Sequence, residues 1–387
     1  MKSKKPSLIV KILVAALAGW VLGRVLPGWG IRGLNNFQSL FSQFVKFLVP
    51  LIILGFVTPA IADTGKSAGR TLLATLCIAY ASTIFAGALS FTVSRAILPH
   101  IMCTGLDEAA ASASYPAYFK IAIPPFADIV TCLVFSFILG MGIIACKADA
   151  VHKLTHQFRD IVTWSIVKLF VPLLPLYILS VVANTTACGN IAAVAGSCMK
   201  LVLYCTALTM TLLVIQYSIA CSYARKNPFK ALWNMMPAYL TGLGCASSAA
   251  TLPVTLRQTR ENGVSEPTAN LVIPLCANIH LAGSMCNMVA YAVGLMVMAG
   301  EPISAGAFVT YIFQISVVAV AAPGVPGGVV LACATIAETS LGFSPERYAM
   351  MTAIYLAFDG MGTACNLTGD GAIAIAVDKI SGKNQPE

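Results

Sequence analysis

Charge is what this chain has least of. Asp, Glu, Lys and Arg make up 10% of its 387 residues, hydrophobic residues make up 58%, and the mean hydropathy is +0.83. That shortage excludes water as the solvent for most of the surface. The 24 basic residues outnumber the 15 acidic ones, but they are dispersed near loop ends and form no patch, so nucleic acid is not an expected partner. Thirteen cysteines are present, yet no Cys-x-x-Cys occurs. Neither a zinc site nor a disulfide framework is implied, and the thiols read as small apolar packing groups. His-Glu-x-x-His and Walker-type sequences are also missing. Zinc-hydrolase chemistry and nucleotide binding have no foothold, which argues against an enzyme.

What the chain does have is long uncharged runs, at 169–199, 201–224, 231–256 and 302–337. A helix crosses about 30 Å of hydrocarbon with about 20 apolar residues. Only helices or closed barrels satisfy their backbone in lipid, and these runs lack the alternation of a barrel strand. The reading is an all-α polytopic membrane protein.

The basic residues fall in every second loop. Lys2, Lys4 and Lys5 come first, then Lys66 and Arg70, then Lys147, Lys153 and Arg159, then Arg225, Lys226 and Lys230, and finally Lys379 and Lys383. By the positive-inside rule both termini are expected in the cytoplasm. The first apolar run is expected to stay as a helix.

Six ordinary spans are predicted near 7–26, 37–61, 71–97, 124–146, 161–182 and 191–223. Beyond them the pattern changes. The run 231–256 carries Gly242, Gly244, Ser247, Ser248 and Pro253, and the run 302–343 carries Pro323-Gly-Val-Pro-Gly-Gly328. Pro and clustered Gly release backbone groups that lipid cannot satisfy, so such tips must line a protein cavity. Both runs are predicted as re-entrant helical hairpins. Each precedes a helix expected to be interrupted by polar residues: the first around Pro274-Leu-Cys-Ala-Asn-Ile-His-Leu-Ala-Gly-Ser284, the second over Asp359 to Asp370. Hairpin plus broken helix, occurring twice, is the mark of an inverted repeat with its site at the bilayer midplane.

The second broken stretch sets Asp359, Thr363, Asn366 and Asp370 in an otherwise apolar segment. A buried carboxylate needs a cation, here a transported ion or an ammonium-bearing substrate. His280 is the one Asp, Glu, Lys, Arg or His between Pro267 and Gly300. Two readings stand for it: a neutral imidazole hydrogen-bonded in the unwound helix, or a proton-sensitive group beside the cation path.

Ser247-Ser248-Ala-Ala-Thr-Leu-Pro-Val-Thr255, the Gly324-Val-Pro-Gly327 tip and Asn366-Leu-Thr-Gly-Asp370 resemble the dicarboxylate/amino acid:cation symporter family, that of the glutamate transporters. The pattern is most like its bacterial sodium:serine/threonine symporter branch, and the likeness runs over nearly the whole chain, including Lys46-Phe-Leu-Val-Pro-Leu and Asn227-Pro-Phe. The resemblance implies eight transmembrane helices plus two re-entrant hairpins, in an elevator-type transporter assembled as a homotrimer in the bacterial inner membrane. Residues 1–70 and 99–188 would form the scaffold, and 71–98 and 189–387 the transport domain.

Carried over by position, the resemblance implies substrate contacts from Ser247, Ser248, Ser284, Val325, Gly327, Asp359, Thr363 and Asn366. Asp359 and Thr363 would hold the amino group, and Asn366 the carboxylate. Co-transported sodium would be held by Asp370, Asn366, His280, Asn278, Ser82 and Thr83. The departures bear on specificity. Acidic-substrate members carry arginines where this chain has Gly362 and Ala246, and a carboxylate where it has Tyr355. A side-chain carboxylate in a dry site needs a bidentate cation, so a small neutral amino acid such as serine, threonine or alanine is the expected cargo. Ala282 replaces a carboxylate that binds a cation in acidic-substrate members, which implies fewer sodium ions per cycle, and Met288 replaces a proton-carrying glutamate of some relatives. The alternatives are a proton-coupled symporter of an amino acid or organic acid, or a leak channel built on the same fold.

Overall fold

A computed structural model describes residues 8–64, 70–102, 115–119, 121–127, 129–165, 168–169, 171–187, 191–245, 248–320, 327, 329–330 and 333–382. Every regular element among them is a helix. In chain order these are α1 (Leu8–Val25), α2 (Gly28–Thr64), α3 (Arg70–Ile101), α4 (Ile129–Cys146), α5 (Asp149–Ser165), α6 (Val171–Ala187) and α7 (Ile191–Ala224). There follow α8 (Pro228–Asn234), α9 (Met236–Cys245), α10 (Ser248–Glu261), α11 (Glu266–Ile279), α12 (Ala282–Ala299), α13 (Ala305–Val320), α14 (Ala334–Leu341) and α15 (Pro345–Gly382).

The helices sort by whom they touch. α1 lies along α6, and α2 along α4, α5 and α6. α12 sits between α3 and α15, while α15 also covers α7, α9 and α11. Every side chain of α12 from Ala282 to Met298 is buried, which makes it the central strut of the molecule. On α1, α4 and α7 the opposite holds: Leu17, Val21, Val134, Phe135, Ile138 and Leu203 are exposed. Apolar bands of that size are facing lipid. Among the described residues, three segments, Thr71–Ile101, Gly196–Ala224 and Glu266–Ala299, are long and apolar enough to cross a membrane.

Both re-entrant segments form paired helices. In the first, Asn227 caps α8 by accepting from the Lys230 amide at 3.0 Å, with Pro228 in the first turn where its missing N–H costs nothing. The chain then turns at Met235 into α9, and α10 returns alongside it. In the second, α13 and α14 pack on each other.

Over the span predicted at 161–182 the described helices are α5, up to Ser165, and α6, from Val171. α5 carries Asp149, Lys153, Arg159 and Asp160 and buries only Thr155 and Val162. One expectation is corrected, and it concerns α15. Its one non-helical residue is Phe358 (φ −122°, ψ 17°), and helix continues from Asp359 through Asp370. The interruption lies just before the polar stretch, because only a continuous helix puts residues spaced 4, 3 and 4 apart on one face.

Candidate functional site

The predicted break in the first repeat is present. His280 (φ −100°, ψ 98°) and Leu281 (φ −118°, ψ 37°) leave helical geometry between α11 and α12. A helix that starts inside a protein exposes four backbone N–H groups without partners of their own. Here two of them are satisfied by another helix. Asn366 on α15 accepts through Oδ1 from Gly283 N at 2.7 Å and from Ser284 N at 3.2 Å, and its Nδ2 donates to Ser284 Oγ at 2.9 Å. Asn366 is thus an N-cap supplied in trans.

This contact sets the register between the two helices. Gly362, one turn before Asn366, lies beside Ser284 and Asn287: a Cβ at Gly362 would stand 3.3 Å from Ser284 Oγ and from Asn287 Nδ2. Two turns earlier Tyr355 meets the Tyr291 ring edge-on, centroids 6.5 Å apart. α12 and α15 therefore run antiparallel along the stripes Ser284–Asn287–Tyr291 and Tyr355–Asp359–Gly362–Asn366.

Asp359 is buried and receives the Gly327 amide at 2.8 Å on Oδ2. Gly327 lies between α13 and α14 and holds φ +77°, a backbone state that only glycine adopts without strain. The Leu243 carbonyl near the end of α9 is seated on the next residue of α15, Gly360. Tyr355 lies beside Asp359 and Ser284, and Asp359 makes no ion pair among the described residues.

One turn beyond Asn366, Asp370 Oδ1 accepts from His280 Nδ1 at 2.9 Å, and both side chains are fully buried. With Asp370 ionised the proton sits on Nδ1, so Nε2 accepts from the Ser82 hydroxyl of α3 at 3.1 Å. Gln216 of α7 donates to Ser82 Oγ at 2.9 Å, with Nε2 3.4 Å from His280 Nε2. Four helices meet in this chain of bonds. Asp370 Oδ2 and Gln216 Oε1 are buried with no hydrogen-bond partner among the described residues. Both are uncommitted oxygen acceptors, the atom type a hard cation takes.

The other candidates divide. Thr363 is buried on the Asp359 stripe, and Ser248 opens α10, partly buried. Thr83 Oγ1 donates to Ala79 O within its own helix at 2.9 Å. Asn278 is exposed and donates to Pro274 O at 3.0 Å, so its side chain does not join the cluster. Ser247 and Val325 lie outside the described residues. Reasoning from sequence passed over Gln216, Asn287 and Tyr291. Gln216 had a legible signal as the lone carboxamide in Ile191–Ala224, and Asn287 as the last one before residue 300 in an apolar run.

The model of the sodium:dicarboxylate symporter family matches residues 8–380, and the chain belongs to that family. A serine/threonine transporter SstT of Streptococcus thermophilus is 25% identical over 342 residues, covering 84% of this chain and 84% of the relative. The serine/threonine transporter SstT of Acinetobacter baylyi is 24% identical over 394 residues, covering 97% and 98%. The family and these relatives are transporters, not enzymes, and the multi-pass helical fold agrees with that.

Proposed function

We propose that this protein is a sodium-coupled symporter of a small neutral amino acid, of the serine, threonine or alanine class. The observation that carries the reading is Asp359: a buried carboxylate that accepts from Gly327 N, with no basic side chain paired to it among the described residues. Left bare, that charge is costly, and an α-ammonium group is the cation that would match it. Next along the same stripe stands Gly362, beside Ser284, where a bound acidic side chain would need an arginine. The serine/threonine relatives support the same cargo.

In this reading sodium binds at Asp370 and its neighbours, and the order of events follows from the shared helix. The same α15 face carries Asp359, Thr363, Asn366 and Asp370, so filling the cation site stiffens the substrate site. The outer hairpin closes through Gly327 N on Asp359, and residues 71–98 with 189–387 move as the transport domain against a scaffold of 1–70 and 99–188. The protein works as a homotrimer in the bacterial inner membrane, with eight spans, two hairpins and both termini in the cytoplasm. Uptake of labelled serine into proteoliposomes under an inward sodium gradient tests it. Competition by alanine and threonine but not by aspartate is expected; competition by aspartate alone would sink the reading.

A second reading has one observation in its favour. His280 already stands on Asp370 Oδ1, the place the first reading gives to sodium's countercharge, so a proton could be the coupled ion. Uptake unchanged when choline replaces sodium, and abolished by a protonophore, would favour it.

A further inference from the structure

Between the cap at Asn366 and the tyrosines at the far end of the stripe lies a polar group with an uncommitted acceptor. Asn287 is 2% exposed, and its Oδ1 has no hydrogen-bond partner among the described residues. One turn further along α12, the Tyr291 hydroxyl is buried and equally without a partner. Buried carboxamides and phenols in a packed helix normally find partners, since an unmet acceptor forfeits its hydration. Two unmet groups at i and i+4 on one helix face, both turned toward α15, call for a ligand that completes them.

The register says where that ligand would be. Asn287 reaches α15 at Gly362, three residues and hence one turn after Asp359. Gly362 has no side chain, so the carboxamide lies directly against the helix backbone, with Ser284 Oγ beside it. An amino acid whose ammonium group is held by Asp359 carries its side chain within about one helical turn, some 5 Å, of that carboxamide. We propose that Asn287 is a specificity-determining residue: its carboxamide accepts a hydrogen bond from the side-chain hydroxyl of the substrate, with Tyr291 closing the niche behind it. The inference rests on the neutral amino acid reading above and narrows it to hydroxyl-bearing substrates. A site built to meet a hydroxyl rejects the analogue that lacks one, because the carboxamide is then left buried and unpaired. Ser284 Oγ already accepts from Asn366 Nδ2, whereas Asn287 Oδ1 has no such partner among the described residues.

The test uses two substrate pairs that differ by one hydroxyl: serine against alanine, and threonine against 2-aminobutyrate. Inhibition constants against labelled serine uptake are measured in proteoliposomes for the wild-type protein, Asn287→Leu, Asn287→Ala and Tyr291→Phe. The wild type is expected to prefer the hydroxyl member of each pair by about tenfold or more, the scale of one unmet buried polar group. Asn287→Leu and Asn287→Ala should bring both ratios close to one, and Tyr291→Phe should lower them less. A ratio is read only on the folded fraction, so partial misfolding does not mask the result. Equal weakening of both members of a pair, or a wild-type ratio near one, would overturn the proposal while leaving neutral amino acid transport intact. Wild-type protein that takes up none of the four compounds would overturn the parent reading, and this one with it.

Discussion

Asn366 and Ser284 hold each other by two hydrogen bonds, Ser284 N to Asn366 Oδ1 at 3.2 Å and Asn366 Nδ2 to Ser284 Oγ at 2.9 Å, across the contact between two broken helices. The carboxamide is both the start of α12 and a side chain on the polar face of α15. Any rearrangement at the substrate face is therefore felt by the helix that carries His280 at its break.

This arrangement predicts different outcomes for two substitutions at one position. Asn366→Ala leaves the Gly283 and Ser284 amides unpaired in a buried place, at a cost of about 1–3 kcal/mol each, and should lower the melting temperature and abolish uptake. Asn366→Asp keeps an acceptor for both amides and should stay nearer the wild-type melting temperature. Thermal unfolding in detergent compares them; equal destabilisation would show that the trans cap contributes nothing to stability.

Asp359→Asn should remove the countercharge for the substrate's ammonium group but leave an oxygen to accept from Gly327 N. Serine uptake is expected to fall by at least about a hundredfold, the scale of a lost buried charge partner, with little change in melting temperature. Retained uptake would remove Asp359 from the substrate site.

Asp370→Asn should weaken sodium binding, because it removes the ion's countercharge from a fully buried place. Sodium titrations of substrate-induced thermal shift decide the matter. Unchanged sodium affinity would take Asp370 out of the cation site.

Gln216→Leu keeps the side-chain volume and deletes the amide that donates to Ser82 and neighbours His280. The expected effect is a several-fold rise in the sodium concentration needed for half-maximal uptake, with the serine affinity at saturating sodium unchanged. A shift in serine affinity alone would place Gln216 with the substrate and not with the ion.

Much of this was legible without coordinates, for particular reasons. The broken helix at His280 showed because a lone ionisable residue in an apolar run needs partners. The spacing of Asp359, Thr363, Asn366 and Asp370 already described one helical face. The break in α15 was misplaced, because the polar residues that suggested an interruption share a continuous helical face and the kink falls at Phe358 before them.

Composition and periodicity alone determined the solvent, the helical class and which polar residues had to be inside, since lipid tolerates neither open backbone nor unmatched charge. Pairing was another matter. That Asp370 meets an imidazole, that Asn366 caps a helix 82 residues away in sequence, and that Asn287 rests against Gly362 were decided by the antiparallel register of α12 on α15. Register depends on side-chain interlock between distant segments, and no local pattern along one helix encodes which residue of another will face it.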